Sequence, residues 1–336
     1  MRTSAAFLFL AAAGQLRSAL GAPLPGVLDD IAGILTGGDG VGEIGLGTGE
    51  TSDVAVTPVS QDEITSALVR PALFARSVYC SSEAVAALSC GEQCDALGDV
   101  EILKTGGDGA ETPRFFVAHD KEQEAIVVAH QGTDPKKLLS DLNDIKILQV
   151  AVNLTNLPNA PDDVKIHDGF QDAQERTAGD VLNTVLSALA STGVKKVLVT
   201  GHSLGAAIAT IDGMMLRMQL DESIAVTTTV FGLPRVGNQA WADLVDSTLG
   251  DNFKFVTNQN DPVPQVPPHL LDYQHPSNEI HITAVDASGQ TATAQACPGQ
   301  ENENCVESLS LINAKKINHN GPYFANISMG NKFCTA

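Results

Sequence analysis

The apolar positions of the chain fall into short runs that polar or glycine-containing segments separate. Six runs are rich in β-branched and aromatic residues over five or six positions, a composition and length that favour β-strands. The predicted strands are Arg114–Ala118, Ala125–His130, Lys196–Thr200, Val226–Phe231, Phe253–Thr257 and Glu279–Thr283. All of them follow residue 61, where strand-like and helical segments begin to alternate.

Helical spacing of apolar residues predicts helices between these strands. In the segment 180–190 the apolar residues recur on one helical face, at Leu182, Val185, Leu186 and Leu189. A second helix is expected after Ser203, through Ile208, Ile211, Met215 and Met218, where we interpret the methionines as core packing. Strands separated by helices predict one α/β domain with a mainly parallel central sheet flanked by helices.

The first 60 residues have a different pattern. A basic start at Arg2, an apolar run over 5–13 and small residues up to Gly21 are typical of a secretory signal peptide, here residues 1–21. The run is shorter than the roughly 20 residues that span a bilayer. Residues 22–60 form a glycine-rich, acidic leader or pro-segment, and its G-x-G-x-x-G at 40–45 has no preceding strand, so we interpret it as a chance match. The catalytic domain is expected over residues 61–336.

Composition and charge narrow the possible partners. The chain carries 20 basic and 40 acidic residues, a net charge of −20, which repels nucleic acid and anionic membranes. A neutral or apolar substrate is therefore the easier partner, and no stable membrane insertion is expected. With 43% hydrophobic residues the chain can bury a large core, whereas 4% aromatic residues and one tryptophan, Trp241, argue against a base- or sugar-stacking surface.

Six cysteines fit an exported protein: Cys80, Cys90, Cys94, Cys297, Cys305 and Cys334. An even number indicates disulfides, although 15 pairings are possible, and their spacing is not that of a zinc site. Glycosylation sequons at Asn153 and Asn326 also agree with secretion.

One motif points to chemistry. The segment from Val197 to Ala207 places Gly201-His202-Ser203-Leu204-Gly205 between a buried strand and a helix rich in small residues. A serine on this sharp turn exposes its hydroxyl, and the following helix directs its free N–H groups to a developing oxyanion. We therefore predict that Ser203 is the nucleophile of an α/β-hydrolase.

A serine hydroxyl needs a base and an orienting acid, which follow in the order Ser, Asp, His in this fold. The candidate acids are Asp246, Asp251, Asp261 and Asp272, and the candidate bases are His269, His275, His281 and His319. Position favours Asp261, in the loop after a predicted strand, and His319, in a polar loop near the end of the chain. The other three histidines are expected to be structural.

Several segments together resemble the fungal triacylglycerol lipase family, lipase class 3, which also includes feruloyl esterases. They are 126–133 (IVVAHQGT), 167–170 (HDGF), the Ser203 turn, 231–238 (FGLPRVGN), 260–264 (NDPVP) and the His319 loop that ends in Tyr323-Phe324. The resemblance runs from about Cys80 to Cys334. It implies an α/β-hydrolase fold with Ser203 as nucleophile, Asp261 as acid and His319 as base. It also implies an oxyanion hole made by the N–H of Leu204 and by Thr133.

The chain departs from the family pattern before Thr133. The family often has aromatic-Arg-Gly there, and this chain has His130, Gln131 and Gly132. The oxyanion donors are unaffected, but an ion pair between that arginine and a lid is lost. Sequence proximity favours the disulfides Cys90–Cys94 and Cys297–Cys305, which leaves Cys80–Cys334, and the resemblance agrees with these pairs.

The segment after Thr133 is predicted to be a lid. Asp134-Pro135 is a helix-start signal, and the apolar residues Leu138, Leu139, Leu142 and Ile145 follow at helical spacing. An ordinary surface helix has the same pattern, so the lid interpretation depends on the position and on the resemblance. Leu138 takes the place of a tryptophan that the family usually has.

We expect a secreted, monomeric carboxylic ester hydrolase with no metal or organic cofactor. A triacylglycerol lipase acting at a lipid–water interface is the first hypothesis. A feruloyl or other soluble-substrate esterase is the second, and a binding protein without turnover is disfavoured because all three triad residues are present.

Overall fold

The computed structural model describes residues 49–133, 148–309 and 313–334. The expected signal peptide, residues 22–48 of the glycine-rich leader and the expected lid residues Leu138, Leu139, Leu142 and Ile145 lie outside the described residues.

A large sheet forms the centre of the molecule. In chain order its strands are β1 Thr57–Val59, β2 Val100–Gly106, β3 Phe115–Asp120, β4 Ala125–His130, β7 Lys196–His202, β8 Ala225–Phe231, β9 Phe253–Asn258, β10 Glu279–Val285 and β11 Ala292–Cys297. A separate two-stranded sheet contains β5 Gln149–Ala151 and β6 Lys165–His167. The spatial order of the large sheet is β1-β11-β10-β9-β8-β7-β4-β3-β2.

The sheet is mixed, with the expected parallel strands at its centre and antiparallel strands toward its edges. The central strands from β4 through β7, β8 and β9 to β10 are parallel. The pairs toward both edges are antiparallel. Each parallel step needs a long crossover, which contains an α-helix in three cases and short 3-10 turns between β9 and β10. Short connections join β2 to β3, β3 to β4 and β10 to β11, so these pairs run antiparallel, whereas β1 pairs with β11 from a distant part of the chain.

The helices, in chain order, are α1 Gln61–Glu63, α2 Val69–Ser77, α3 Ser82–Ala86, α4 Glu92–Asp95, α5 Asp168–Thr192, α6 Leu204–Gln219, α7 Gln239–Leu249 and α8 Lys316–Asn320. A π-helical turn, Ile64–Leu68, joins α1 to α2. Helices α5, α6 and α7 pack on one face of the sheet, and α2 packs on the other.

Strand β4 shows how both faces are covered. Ile126 and Val128 belong to the core beneath α5 and α6, whereas Val127 and Ala129 belong to the core on the opposite face. This division follows from the two-residue period of a strand, and because both faces are buried, β4 is apolar at successive positions.

The predicted helix at 180–190 is part of the 25-residue α5, but its buried stripe differs from the predicted one. Val181, Val185 and Ala188 are buried, whereas Leu186 is 46% exposed. Leu182 and Leu189 border the stripe. The predicted helix after Ser203 is α6, and Met215 lies in its core as expected.

The folded part of the chain begins before the predicted boundary at residue 61. Strand β1, Thr57–Val59, pairs with β11 and completes the sheet edge. Upstream of it, Ser52 forms a β-bridge with Asn302, and the side chain of Asn302 donates to the Val54 carbonyl. The last residues assigned to the leader are therefore part of the domain, since they satisfy an otherwise open strand edge.

Three disulfides tie the domain together: Cys80–Cys334, Cys90–Cys94 and Cys297–Cys305. These are the expected pairs. The first joins residues 254 positions apart and fixes the end of the described chain to the segment after α2. None of the helices in the described ranges is long and apolar enough to span a membrane.

Candidate active site

Four neighbouring strands end at the same edge of the sheet. Strands β9, β8, β7 and β4 are adjacent and parallel, so their carboxyl ends meet there. The segments that follow them contain Asp261, Gly232, Ser203 and Thr133 in this spatial order. The carboxyl edge of an open parallel sheet is the usual location of a binding site in α/β proteins.

Ser203 occupies a strained turn between β7 and α6. Its φ is 62° and its ψ is −129°, a left-handed conformation that a non-glycine residue adopts at a cost of about 1–3 kcal/mol. Small neighbours make the turn possible: a Cβ atom at Gly201 would collide with the Gly205 carbonyl, and one at Gly205 would collide with the His130 carbonyl. The spacing of the two glycines around Ser203 is thus a packing requirement.

The surroundings hold the backbone of Ser203 but leave its hydroxyl unbonded. Its N–H donates to the Phe231 carbonyl at the end of β8, over 3.0 Å. Its Oγ is buried and has no hydrogen-bond partner among the described residues. A buried polar atom without a partner is costly, which is typical of a group that acts on a ligand.

Asp261 and His319 form a buried pair beside this turn. Asp261 follows β9 by three residues, and its Oδ2 lies 2.8 Å from His319 Nδ1, while its Oδ1 accepts from the Val263 N–H over 2.9 Å. Both side chains are at most 2% exposed. Because a carboxylate accepts, Nδ1 carries the proton, and Nε2 of a neutral ring is then the acceptor.

His319 reaches the serine turn across Gly232. His319 was expected in a polar loop and lies instead in the five-residue helix α8. A Cβ atom at Gly232 would lie 2.9 Å from His319 Cε1, so a side chain there would push the ring away. Phe231 binds the Ser203 N–H, and its neighbour Gly232 contacts His319; the same two residues therefore bring nucleophile and base together. Like Ser203 Oγ, His319 Nε2 is buried with no partner in the described part of the chain.

The expected oxyanion residues lie on either side of the nucleophile. Leu204 is the first residue of α6, where backbone N–H groups have no partner within the helix. Thr133 follows Gly132, and a Cβ atom at Gly132 would lie 2.9 Å from the Cβ of Ser203. The structure thus brings the segment that ends in Thr133 against the nucleophile.

The three remaining candidate bases make hydrogen bonds away from Ser203. His275 Nε2 lies 2.8 Å from the Pro264 carbonyl, and His281 Nδ1 lies 2.8 Å from Thr257 Oγ1. His269 Nε2 lies 2.5 Å from Gln274 Oε1. These contacts agree with structural roles.

Sequence reasoning missed a second buried histidine–aspartate pair. His130 Nε2 lies 2.7 Å from Asp212 Oδ2, and Gln174 Nε2 donates to the other oxygen of Asp212 over 2.7 Å. The pair joins β4, α5 and α6 beneath the sheet. Its signal in the sequence is a single aspartate within the mostly apolar stretch 204–216 of helix α6.

A buried charged cluster, also missed, supports the loop that carries Asp261. Arg235 is 2% exposed and donates to both oxygens of Glu301, over 2.7 and 2.9 Å, and to Glu307 over 2.5 Å. It also holds the loop, because its backbone N–H donates to the Val266 carbonyl and its Nη1 donates to the Pro267 carbonyl. We call Arg235, Glu301 and Glu307 the arginine cluster.

The carboxyl groups near the arginine cluster titrate unusually. Burial raises the pKa of Glu307 to about 7 and that of Glu279 to about 8. Burial would also raise the pKa of Glu301, but Arg235 and His275 hold it well below its usual range. His281 approaches Glu279 within 3.7 Å, yet burial lowers its pKa to about 4, so near neutral pH this contact joins two uncharged groups.

These shifts predict a pH-dependent stability. Folded Glu279 keeps its proton up to about pH 8 and unfolded Glu279 releases it near 4.5; the folded state thus binds more protons in this window, and its stability falls as the pH rises. Glu279→Gln should reduce this decline between pH 6.5 and 8, as measured by urea unfolding, because the amide mimics the neutral carboxyl. The exposed Glu222→Gln is the matched control. Equal pH slopes for the wild type and Glu279→Gln would contradict the assignment.

Glu279 also lies near two sulfur atoms. Among the described residues it forms a group with Cys297 and Cys305 that has the dimensions of a metal site. The two cysteines are joined in a disulfide, so neither offers a thiolate to a metal. The geometry therefore fits a structural bridge rather than a metal centre.

Comparisons with known proteins agree with this geometry. A family model described as lipase (class 3) matches residues 127–271. The secreted mono- and diacylglycerol lipase LIP1 of Malassezia globosa is 34% identical over 283 residues, which is 83% of this chain and 86% of that protein. The structure of lipase II from Rhizopus niveus superposes with a TM-score of 0.71 at 26% identity, and the match covers 82% of this chain and 99% of that one.

A fungal lipase–inhibitor complex, described as a model for interfacial activation, superposes with a TM-score of 0.68 at 26% identity over 81% of this chain and 98% of that one. These likenesses confirm the α/β-hydrolase fold expected from the sequence.

Proposed function

The chain belongs to the class 3 lipase family, as its motifs indicated, and from this premise we propose that it is a secreted lipase that hydrolyses acylglycerols through an acyl-enzyme on Ser203. The observation that carries the proposal is the pair of buried, unpartnered atoms at the sheet edge, Ser203 Oγ and His319 Nε2. Both atoms can serve one reaction, the transfer of a proton from the serine as it attacks an ester.

In the first step His319 Nε2 accepts the proton of Ser203 as Oγ attacks the ester carbonyl carbon. The tetrahedral intermediate collapses when His319 returns the proton to the departing glycerol oxygen, which leaves an acyl-enzyme. Water then attacks the acyl carbon with His319 again as base, the bond from Ser203 Oγ to the acyl carbon breaks, and His319 returns the proton to Oγ as the carboxylic acid leaves. Asp261, 2.8 Å from Nδ1, keeps the ring in the required tautomer and stabilises the imidazolium.

The oxyanion of each intermediate needs donors that are already in place. We assign this role to the N–H of Leu204, at the start of α6, and to Thr133, whose segment packs on Ser203. Donors fixed by a helix and a strand end need little reorganisation during the reaction, which is why such sites stabilise the transition state more than water does.

We extend the proposal to the substrate class. The net charge of −20 favours neutral esters over anionic lipids. The relative from Malassezia globosa is named a mono- and diacylglycerol lipase, and the fold is also that of lipases. We therefore assign partial glycerides, rather than the triacylglycerols favoured by the motifs alone, as the preferred substrates, and the lipid–water interface as the place of action.

A substrate series tests this assignment. We expect mono- and diolein to be hydrolysed faster than triolein, and all emulsified glycerides about tenfold or more faster than methyl ferulate, a difference of about 1.4 kcal/mol in transition-state binding. Rates on tributyrin should jump as its concentration passes the solubility limit. Ser203→Ala provides the background rate.

Two other results would favour the alternative substrate classes. A higher rate on triolein would restore the triacylglycerol hypothesis. A higher rate on methyl ferulate, with a smooth curve through the solubility limit, would favour the soluble-substrate esterase.

A further inference from the structure

His202, the residue before the nucleophile, forms hydrogen bonds at both ring nitrogens. Its Nδ1 lies 2.7 Å from the Tyr79 hydroxyl, and its Nε2 lies 2.8 Å from the backbone carbonyl of His319. All three residues are at most 2% exposed. The contacts form a continuous chain from Tyr79 through His202 to the backbone of His319.

The chemistry of the partners defines the proton positions. A carbonyl oxygen only accepts, so Nε2 of His202 is the donor. Burial and the neighbouring His319 lower the pKa of His202 well below its ordinary value, so the ring is neutral. Its Nδ1 therefore accepts the hydroxyl proton of Tyr79.

We propose that Tyr79 and His202 are positioning residues that hold the catalytic base His319 by its backbone carbonyl and align it with the nucleophile; this inference rests on the proposed triad. Asp261 holds the ring of His319, whereas the Tyr79–His202 pair holds its main chain, together with the Tyr323 hydroxyl, which donates to the same carbonyl over 3.0 Å. The two restraints are distinct, and α8, with five residues, is too short to supply much rigidity of its own.

The same chain of contacts reaches the oxyanion segment. A Cβ atom at Gly132 would collide with both the Tyr79 hydroxyl and the His202 carbonyl, so these groups lie directly against the residue before Thr133. The neighbouring Cys80 is bonded to Cys334, beyond His319. The Tyr79 hydroxyl therefore contacts His202, directly before the nucleophile, and Gly132, directly before an oxyanion donor, and it is linked to the base through His202.

A neutral His202 also suits the reaction. The His202 and His319 rings are 4.4 Å apart between centroids. His319 becomes an imidazolium during attack, and a second charge at this distance in a buried site would oppose it. A ring that accepts from Tyr79 and donates to a carbonyl has both nitrogens satisfied without a charge.

The test compares Tyr79→Phe, which removes only the hydroxyl, with His202→Gln and His202→Met. The glutamine amide keeps a donor for the His319 carbonyl, and methionine does not. Tyr273→Phe is the matched control, since the Tyr273 hydroxyl is buried and has no hydrogen-bond partner in the described ranges. The readouts are kcat and KM on soluble p-nitrophenyl butyrate, normalised to active sites titrated with a serine-directed phosphonate.

We expect Tyr79→Phe and His202→Met to lower kcat about tenfold, which corresponds to about 1.4 kcal/mol in the barrier, with KM within about twofold. His202→Gln should recover most of that loss, and Tyr273→Phe should match the wild type. If His202→Met does not fold, Tyr79→Phe and His202→Gln carry the comparison.

Two results would overturn the inference: a Tyr79→Phe kcat equal to that of the control, or a His202→Gln variant as impaired as Tyr79→Phe. Failure of the triad itself would be seen separately, as activity or phosphonate labelling that persists in Ser203→Ala.

Discussion

Ser203→Ala is expected to lower turnover on every ester substrate about 10⁶-fold while the protein stays folded. The magnitude is that found where a nucleophile acts as one unit with its base and acid, so that loss of one member removes the function of all three. The fold should tolerate the change because Ser203 Oγ makes no hydrogen bond within the described residues and its position depends on backbone contacts. Initial rates on p-nitrophenyl butyrate and circular dichroism measure the two quantities.

The control is Ser247→Ala, which removes an exposed hydroxyl on α7 that donates to the Leu244 carbonyl. It should retain wild-type rates and phosphonate labelling. If Ser203→Ala kept more than about 1% of the rate after correction for contaminating hydrolases, a different group would be the nucleophile, since even an orienting acid typically contributes more than this.

The sequence predicts best those elements whose residues are buried on both faces. Strand β4 has the predicted bounds, because a run of apolar residues between polar turns has few alternative structures. Strand β1, at the sheet edge, and β11, which lies beside it, escaped prediction for the opposite reason. Strand β1 has three residues and includes Pro58, which an edge strand tolerates, and β11 alternates alanines with polar residues.

In the candidate active site, too, local features could be predicted from the sequence and contacts between distant residues could not. Ser203 could be predicted because its turn is local: two glycines, a strand before and a helix after are all visible within a dozen residues. The Tyr79–His202 contact joins residues 123 positions apart, and the Arg235–Glu301 pair joins residues 66 apart. Such pairs depend on how strands are ordered in the sheet, which no local pattern encodes.

The arginine cluster joins distant segments of the chain to the loop that carries the catalytic acid Asp261. Arg235 lies after β8, and Glu301 lies within the loop that the Cys297–Cys305 disulfide closes. Arg235 binds the carbonyls of Val266 and Pro267, a few residues after Asp261. Glu301 in addition accepts the N–H of His275 over 2.7 Å, and His275 in turn contacts the Pro264 carbonyl. The loop that carries Asp261 is thus held by Arg235 directly and by Glu301 through His275, and these two residues form one buried ion pair.

Arg235→Met is therefore expected to lower the free energy of unfolding by about 3–5 kcal/mol, the usual cost of removing one partner from a buried ion pair. The loss arises because Glu301, 4% exposed, would remain buried without its counter-charge, and methionine cannot bind the Pro267 carbonyl. Urea denaturation at pH 7 measures it. Because the side chain of Arg235 no longer holds the loop of Asp261, kcat of the folded fraction should also fall.

The matched control is Lys104→Met, which breaks the exposed Lys104–Asp180 pair, 3.2 Å long, and should cost less than about 1 kcal/mol. The double variant Arg235→Met/Glu301→Met should be more stable than Arg235→Met alone, because removing both charges avoids an uncompensated carboxylate. A loss in Arg235→Met no larger than that in Lys104→Met would mean that the arginine cluster is not a principal support of the fold. A double variant less stable than Arg235→Met would mean that Glu301 stabilises the loop through His275 and not through Arg235.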